Sequence, residues 1–437
     1  MMDLAEVRLW GRRIGAVAQE EAEAFARFQY DPEFADAGIR IAPLTMPPAR
    51  RPYAFPELSR ESFHGLPGLL ADSLPDRFGN ALIDTWLARQ GRQPRDFRAV
   101  ERLCYVGTRG MGALEFEPST GPAPQPGEIV HVEALAELAE QILGRREDLR
   151  VELSSGAEEE ALTQLLRVGT SAGGARAKAL IAWNPATNEV RSGQAAAGSG
   201  FEYWILKFDG VGGPDDERLA GPQGYGAVEY AYALMAGAAG IEMTECRLFE
   251  EADRRHFMTR RFDRTPDGGK LHMLSLAGMA HLDFNQAGAH GYEQALLVIR
   301  KLDMGMDAIE QQYRRMVFNV LARNQDDHVK NIAFLMDRAG RWSLSPAYDV
   351  TYAYNPSGEW TARHQMTVNG KTDGFTLADF EALARGGSMV RGRWRSIHDE
   401  VRAAVARWPE FAAAAGVDEA RSEAIGRALR LELPDAS

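Results

Sequence analysis

The spacing of apolar and polar positions changes from strand-like to helix-like along this chain. Near the N-terminus, residues 7–10 and 14–18 flank a Gly-Arg-Arg turn and predict a β-hairpin, and residues 25–30 predict a further strand. Residues 66–90 carry apolar side chains close to helical spacing, but Pro75 falls inside that stretch. Because proline lacks a backbone N–H donor, we expect the helix to break there.

The middle of the chain mixes the two patterns. Residues 132–145 and 157–166 have the spacing of helices with acidic outer faces. Residues 179–183 and 203–208 are typical of strands, and the second of them has alternating faces. The Ala and Met content of residues 227–240 favours a third helix.

The last part of the chain is mainly helical in pattern. Before it, residues 246–249 and 257–262 predict two further strands. An apolar stripe with three- to four-residue spacing then predicts a helix that ends near Asn324. Residues 331–336 and 342–344 flank a polar turn and predict a hairpin.

Composition narrows the class of protein. The chain has 437 residues, of which 45% are hydrophobic and 26% charged, as in soluble globular proteins. No apolar run approaches the roughly twenty residues that span a bilayer, and the N-terminus lacks the pattern of a signal peptide. Two cysteines, Cys104 and Cys246, leave no disulfide framework, so we expect a cytoplasmic protein without membrane association. A net charge of -12 argues against strong DNA binding by the chain alone.

Candidate chemistry is concentrated in residues 324–331, which read Asn-Gln-Asp-Asp-His-Val-Lys-Asn, and in Tyr348-Asp349 shortly after them. Transfer of a phosphoryl group needs a carboxylate that accepts the hydroxyl proton and oxygen ligands that hold Mg²⁺ against the ATP phosphates. Asp326 is the candidate base, and the spacing leaves Asp327 open as its rival.

Four neighbouring residues complete this predicted set. Asn331 and Asp349 are the candidate Mg²⁺ ligands, Asn331 through its amide carbonyl and Asp349 through its carboxylate. Lys330 is placed to offset the charge on the transferred phosphoryl group. His328 is interpreted as a structural donor that holds the loop in place rather than as a proton carrier.

A second group of residues predicts an ATP site. Lys207 lies on a predicted strand, the position at which kinases have the lysine that binds the α- and β-phosphates of ATP. Glu229 on the following predicted helix is its candidate ion-pair partner. The Gly-rich residues 169–178 can cradle phosphates through backbone N–H groups. They do not form a Walker A motif, and the His-Arg-Asp and Asp-Phe-Gly motifs of eukaryotic-type kinases are absent from the sequence.

We refer to residues 324–331 as the acidic loop. A strand-rich lobe followed by a helical lobe that carries this acidic loop predicts an α+β, bilobal protein-kinase-like fold. Residues 1–125 are expected to form an additional N-terminal α+β subdomain of hairpin strands and helices. Residues 126–262 are the predicted N-lobe with the Gly-rich loop, and residues 263–437 the predicted helical C-lobe. The Gly- and Pro-rich residues 121–127 are the best linker in the chain.

With these motifs in place, the chain strongly resembles the HipA-type toxin kinases of bacterial toxin–antitoxin systems. The resemblance rests on residues 65–79 (GLPGLLADSLPDRFG), 170–178 (TSAGGARAK), 326–331 (DDHVKN) and 348–349, and it covers nearly the whole chain. It implies a cytosolic serine/threonine-protein kinase that uses ATP and Mg²⁺.

The resemblance also implies roles for individual residues. It implies Asp326 as the base, Asn331 and Asp349 at the metal, Lys207 as the ATP-binding lysine and Glu229 as the helix glutamate. Ser171 matches the serine of the Gly-rich loop that members of the family autophosphorylate, which inactivates the enzyme. Thr170 is adjacent, so the sequence leaves open which of the two hydroxyls is modified. The remaining implied cofactor-binding residues are Ala172, Gly173, Gly174 and Lys178 in the loop, and Arg261 and Phe262 near the adenine.

The implied partners are a small HipB-like helix-turn-helix antitoxin and a protein substrate such as an aminoacyl-tRNA synthetase. Operator DNA would be reached only through the antitoxin, which agrees with the acidic net charge. Two alternatives stay open. One is a small-molecule or lipid kinase of related fold, against which the N-terminal 120 residues count. The other is an inactive kinase-like co-repressor scaffold, against which the filled catalytic positions count.

Overall fold

A computed structural model describes residues 2–123, 125–144, 156–169, 176–212, 223–251, 253–265 and 268–434. The N-terminal part contains an antiparallel sheet with strand order β3-β2-β1-β4. Its strands are β1 (Met2–Leu9), β2 (Arg12–Glu20), β3 (Arg27–Tyr30) and β4 (Leu114–Glu117). Trp10 and Gly11 have positive φ angles of 51° and 79°, which a tight hairpin turn requires. The predicted N-terminal hairpin is confirmed.

Five helices follow within the N-terminal part. They are α1 (Pro32–Asp36), α2 (Arg60–Phe63), α3 (Gly68–Ala71), α4 (Arg77–Arg89) and α5 (Ala99–Val106). The predicted break at Pro75 is confirmed, because α3 ends before it and α4 begins after it. Asp76 caps the N-terminus of α4 by accepting a hydrogen bond from the Gly79 N–H at 2.7 Å.

The second part is built on a five-stranded antiparallel sheet with strand order β6-β5-β7-β9-β8. Its strands are β5 (Lys178–Asn184), β6 (Glu189–Ser192), β7 (Glu202–Lys207), β8 (Cys246–Glu251) and β9 (Arg254–Arg260). Its helices are α6 (Val132–Gly144), α7 (Gly156–Val168) and α8 (Tyr225–Ala238). The sequence pattern did not predict β6.

The third part is mainly helical. Its helices are α9 (Leu276–Ala280), α10 (Tyr292–Lys301), α11 (Gly305–Leu321), α12 (Leu377–Gly386), α13 (Arg393–Val405), α14 (Trp408–Ala414) and α15 (Glu419–Ala428). Its short strands are β10 (His272–Ser275), β11 (His290–Gly291), β12 (Ala333–Met336), β13 (Trp342–Leu344) and β14 (Met366–Thr367). The predicted hairpin is β12–β13, and α11 delivers the chain to the acidic loop as expected. The α+β fold with a strand-rich and a helical lobe is confirmed.

The buried apolar side chains form two clusters that cross the predicted domain boundaries. One cluster joins the N-terminal sheet, for example Val7, to helices of the C-lobe, for example Val317 on α11. The other joins Phe78 and Leu82 of α4 to Trp204 on β7 of the N-lobe. The N-terminal part therefore packs on both lobes, and the boundaries near residues 125 and 262 stay predictions.

Within the described residues, every helix is either too short or too polar to cross a bilayer.

Candidate active site

A cavity of about 640 Å³ lies where the three parts of the chain meet. The N-terminal part contributes Asp76, Arg77 and Asn80 to its wall, and the C-lobe contributes the acidic loop. The predicted site residues that line it are Lys178, Lys207, Asp326, His328, Lys330, Asn331 and Asp349. Residues more than 150 positions apart in the sequence are thus brought to one cavity.

Lys207 is the centre of a buried charge cluster at the end of β7. Its ammonium lies 2.6 Å from Glu229 Oε1 on α8, and it also forms an ion pair with Asp349. Glu229 is 1% exposed and accepts a second contact of 2.6 Å from Arg176. Burial alone would lower the pKa of Lys207, but the charges of Asp349 and Glu229 outweigh it and raise that pKa. The lysine therefore stays a cation.

Asp349 has the properties of a metal ligand. Burial would raise the pKa of its carboxyl, but Lys207, and after it Lys178, lower it to about 2. Its backbone has a φ of 51°, in the left-handed region that aspartate tolerates better than most residues. An always-ionised carboxylate that lines the cavity beside Lys207 is suited to hold a divalent cation against phosphates.

Asn331 also lines the cavity and carries an amide oxygen. It lies on a 3-10 turn (Val329–Asn331) at the end of the acidic loop. Its side-chain N–H donates to the backbone carbonyl of Asp326 at 2.8 Å, which directs the amide oxygen away from that contact. One carboxylate and one amide carbonyl, with phosphate oxygens and water completing the shell, are a donor set that fits Mg²⁺.

The structure separates the two candidate bases, Asp326 and Asp327. Asp327 is 3% exposed. Its carboxylate accepts hydrogen bonds from Tyr292 Oη at 2.7 Å, His364 Nδ1 at 2.8 Å and the Gln365 N–H at 2.8 Å. Its oxygens are occupied inside the C-lobe, so it holds the loop in place. The side chain of Asp326 is 43% exposed and faces the cavity.

Asp326 has two polar neighbours that bear on its use as a base. Trp360 Nε1 donates to Asp326 Oδ1 at 2.9 Å, and His328 Nε2 lies 3.7 Å from the same oxygen. Partial burial raises the pKa of Asp326, although the charge of His328 and the hydrogen bond from Trp360 act against that rise. Sequence reasoning missed Trp360, because a tryptophan 34 residues away in a loop carries no signal of this contact.

Two further residues of the acidic loop, Lys330 and His328, contact aromatic side chains. The Lys330 ammonium lies 4.5 Å from the centre of the Phe284 ring, and the Tyr348 hydroxyl donates to the Lys330 carbonyl. His328 packs against the same phenylalanine, with ring centres 6.2 Å apart. Both Lys330 and His328 line the cavity, and their roles stay predictions.

Two further groups of residues were predicted in the sequence analysis to bind or respond to the cofactor. Thr170, Ser171, Ala172, Gly173 and Gly174 lie outside the described residues. Arg261 and Phe262 are described, but neither side chain is among those that line the cavity. The Arg261 guanidinium is buried against Asp263, and Phe262 packs on Tyr348 with ring centres 5.5 Å apart. Contact of residues 261 and 262 with adenine stays a prediction.

We expect Trp360→Phe to lower the rate of any proton transfer by Asp326. The indole N–H holds the carboxylate in one orientation, and losing that orientation should slow transfer by about tenfold, which corresponds to about 1.4 kcal/mol in the barrier. Because the base must be ionised, its raised pKa places the acidic loss of rate at a higher pH than for an ordinary aspartate. Removing the indole N–H should move this acidic loss of rate to still higher pH, because the hydrogen bond from Trp360 lowers the pKa of Asp326.

The measurement is the pH–rate profile of phosphoryl transfer for both proteins. Trp342→Phe is the matched control, because Trp342 Nε1 donates to the Arg40 carbonyl far from the cavity. If the rate of Trp360→Phe fell at the same acidic pH as that of the unmodified protein, the indole would not act on the base.

The fold and the cavity define a kinase-like protein, with a lysine–glutamate pair that joins the five-stranded sheet to helix α8. The model of the HipA N-terminal domain matches residues 5–117, and that of the HipA-like C-terminal domain matches residues 170–408. The second match covers more than half of the chain. The chain belongs to the HipA family, which confirms the resemblance inferred from its motifs.

The chain is also similar to individual proteins. The HipA structure of Shewanella oneidensis MR-1, solved with HipB and operator DNA, is 15% identical, has a TM-score of 0.66 and covers 97% of this chain and 94% of that one. The Helicobacter pylori proinflammatory kinase CtkA has a TM-score of 0.34 and 13% identity, covering 52% of this chain and 84% of that one. The Sinorhizobium fredii (strain NBRC 101917 / NGR234) protein named "Putative kinase Y4dM" is 27% identical over 32% of this chain and 38% of its own length.

Proposed function

We propose that this protein is a Mg²⁺- and ATP-dependent serine/threonine-protein kinase. The observation that supports this most is the single cavity that gathers Lys207, Asp326, Asn331 and Asp349, with Glu229 buried directly behind Lys207. Membership in the HipA family and the shared fold support the same conclusion.

In this proposal each side chain has a defined task. Lys207, held by Glu229, binds the α- and β-phosphates of ATP. Asn331 and Asp349 would hold Mg²⁺, which would offset the charge of the ATP phosphates. Asp326 orients a serine or threonine hydroxyl of the substrate and accepts its proton. Lys330 offsets the charge that grows on the transferred phosphoryl group.

The biological role we propose is that of a cytoplasmic toxin in a toxin–antitoxin pair. The similar fold in Shewanella oneidensis was solved as a complex of HipA, HipB and operator DNA. By analogy, a helix-turn-helix antitoxin neutralises this protein and links it to operator DNA. The net charge of -12 favours such an indirect contact, because direct binding to DNA phosphates needs a basic surface. An aminoacyl-tRNA synthetase is the proposed class of protein substrate, and phosphorylation of Ser171 is the proposed route of self-inactivation.

Self-labelling tests this proposal. Purified protein incubated with Mg²⁺ and γ-labelled ATP should incorporate label into its own chain, and EDTA should abolish incorporation because the phosphates lose their bridging cation. Ser171→Ala should remove most of the label, whereas the neighbouring Thr170→Ala should leave it in place.

Three outcomes would change the proposal. Label on Thr170 instead of Ser171 would move the modification site by one residue. Transfer to molecules of a metabolite extract but to no protein would favour a small-molecule kinase. Failure to bind Mg-ATP at millimolar concentration would leave an inactive scaffold.

A further inference from the structure

The N-terminal part of the chain reaches the proposed nucleotide site through one buried carboxylate. Asp76, the residue that caps α4, places its second oxygen 2.9 Å from the ammonium of Lys178 on β5. The side chains are 4% and 2% exposed, so the pair is shielded from solvent.

Lys178 is placed as a twin of Lys207. The two lysines are direct partners in the antiparallel pairing of β5 with β7. Directly opposed residues place their side chains on the same face of a sheet, with Cβ atoms about 5 Å apart. Both lysines line the cavity, and the charge of Lys178 helps to lower the pKa of Asp349. Two cations therefore face the position that the nucleotide phosphates would take.

Each of these lysines has its own carboxylate partner, but the partners come from different parts of the chain. Lys207 is held by Glu229 on α8, within the kinase-like lobes. Lys178 is held by Asp76, which immediately precedes α4 in the N-terminal part. Lysine is rare in this chain, with 6 lysines among 50 basic residues, so two paired lysines in one cavity are a notable placement.

Helix α4 is fixed firmly enough to position Lys178. Phe78 and Leu82 pack in the core cluster that also contains Trp204 of the sheet. The same two side chains approach Gly169 closely, since a Cβ there would lie 2.8 Å from Leu82 Cδ1 and 3.3 Å from Phe78 Cε1. Helix α4 and its cap therefore contact both Gly169 and Lys178, the residues at the two ends of the predicted Gly-rich loop.

We propose that Asp76 is a positioning residue of the nucleotide site, which directs Lys178 toward the ATP phosphates as Glu229 directs Lys207. The inference rests on the proposed function, since it assumes that ATP occupies the cavity. It gives the N-terminal part of the chain a role in nucleotide binding. Without that part, the two kinase-like lobes would lack the carboxylate that positions Lys178.

Asparagine at position 76 separates this role from helix capping. Asn caps helices about as well as Asp, so Asp76→Asn keeps the bond to the Gly79 N–H and replaces the charged oxygen beside Lys178 with an uncharged amide nitrogen. Asp31→Asn is the matched control, because Asp31 caps α1 by accepting from the Glu33 N–H and lies outside the cavity lining. The melting temperature of each variant reports whether the fold is retained.

Calorimetric titration with Mg-ATP and the ATP dependence of self-labelling measure the effect. Loss of one oriented, charge-assisted contact should raise the Kd and KM for ATP by about tenfold in Asp76→Asn, with kcat changed far less. Lys178→Met should weaken binding at least as much, and adding Asp76→Asn to it should have no further effect. Asp31→Asn should bind as the unmodified protein does.

A Kd for Asp76→Asn equal to that of the unmodified protein would overturn the inference, as would a full additive effect in the double variant. Binding of Mg-ATP without any self-labelling would refute the proposed kinase activity, while the Kd comparison would still decide the role of Asp76. Absence of Mg-ATP binding to the unmodified protein would overturn both.

Discussion

Replacing Asp326 by Asn should reduce phosphoryl transfer by about 10²–10⁴-fold, the range that a positioned general base contributes. Asparagine keeps an oxygen that can accept the hydrogen bond from Trp360, but it cannot accept a proton from a substrate hydroxyl. Affinity for Mg-ATP should change little, because Lys207, Asn331 and Asp349 remain in place. The measurement is single-turnover transfer from labelled ATP, with Kd determined separately.

Asp327→Asn is the matched control for that experiment. Its carboxylate accepts three hydrogen bonds inside the C-lobe, and an amide nitrogen would face donors such as the Gln365 N–H. We expect a loss of stability of about 1–3 kcal/mol with transfer largely kept in the folded fraction. If Asp327→Asn abolished transfer without affecting stability while Asp326→Asn retained it, the roles of the two aspartates would be reversed.

Asp263→Ala should destabilise the protein by about 3–5 kcal/mol, the cost of removing one partner from a buried ionic network. Asp263 is fully buried and accepts both the bidentate contact of Arg261, at 2.9 and 2.8 Å, and a contact of 2.7 Å from Arg264. It also accepts the Gly112 N–H of the N-terminal part at 2.7 Å. Burial would raise the pKa of Asp263, but the two arginines outweigh it and hold the pKa far below its usual range.

Urea unfolding of Asp263→Ala measures this destabilisation. Asp253→Ala is the control, because Asp253 is exposed in the turn between β8 and β9 and such changes stay within about 0.5 kcal/mol. Equal midpoints for the two variants would show that the buried network contributes nothing to the free energy of unfolding. Because the carboxylate must stay ionised, the contribution of Asp263 should be present at neutral pH and fall only in strong acid.

The local elements could be predicted because their causes are local. Alternation and a Gly-containing turn specify the β1–β2 hairpin, and Pro75 separates α3 from α4. The acidic loop was recognisable for a similar reason, since Asp326, Asn331 and Asp349 lie close together in the sequence. Strand β6 was missed, because its residues Glu189–Ser192 mix polar and charged side chains with a single apolar one and so give no alternation to recognise.

Contacts between distant residues could not be predicted in the same way. The hydrogen bond from Trp360 to Asp326 and the ion pair of Asp76 with Lys178 join residues without any shared motif. The choice between Asp326 and Asp327 also needed the fold, because burial and hydrogen-bond partners distinguish two adjacent carboxylates.

The sequence by itself determined the family, the α+β class and the residue types of the proposed site, because each follows from patterns within a few neighbouring positions. The tertiary structure alone decided which carboxylate faces the cavity, how Lys207 and Lys178 acquire their partners, and that the N-terminal part forms one wall of the cleft. Those features depend on which surfaces pack together, and packing brings together side chains that are far apart along the chain.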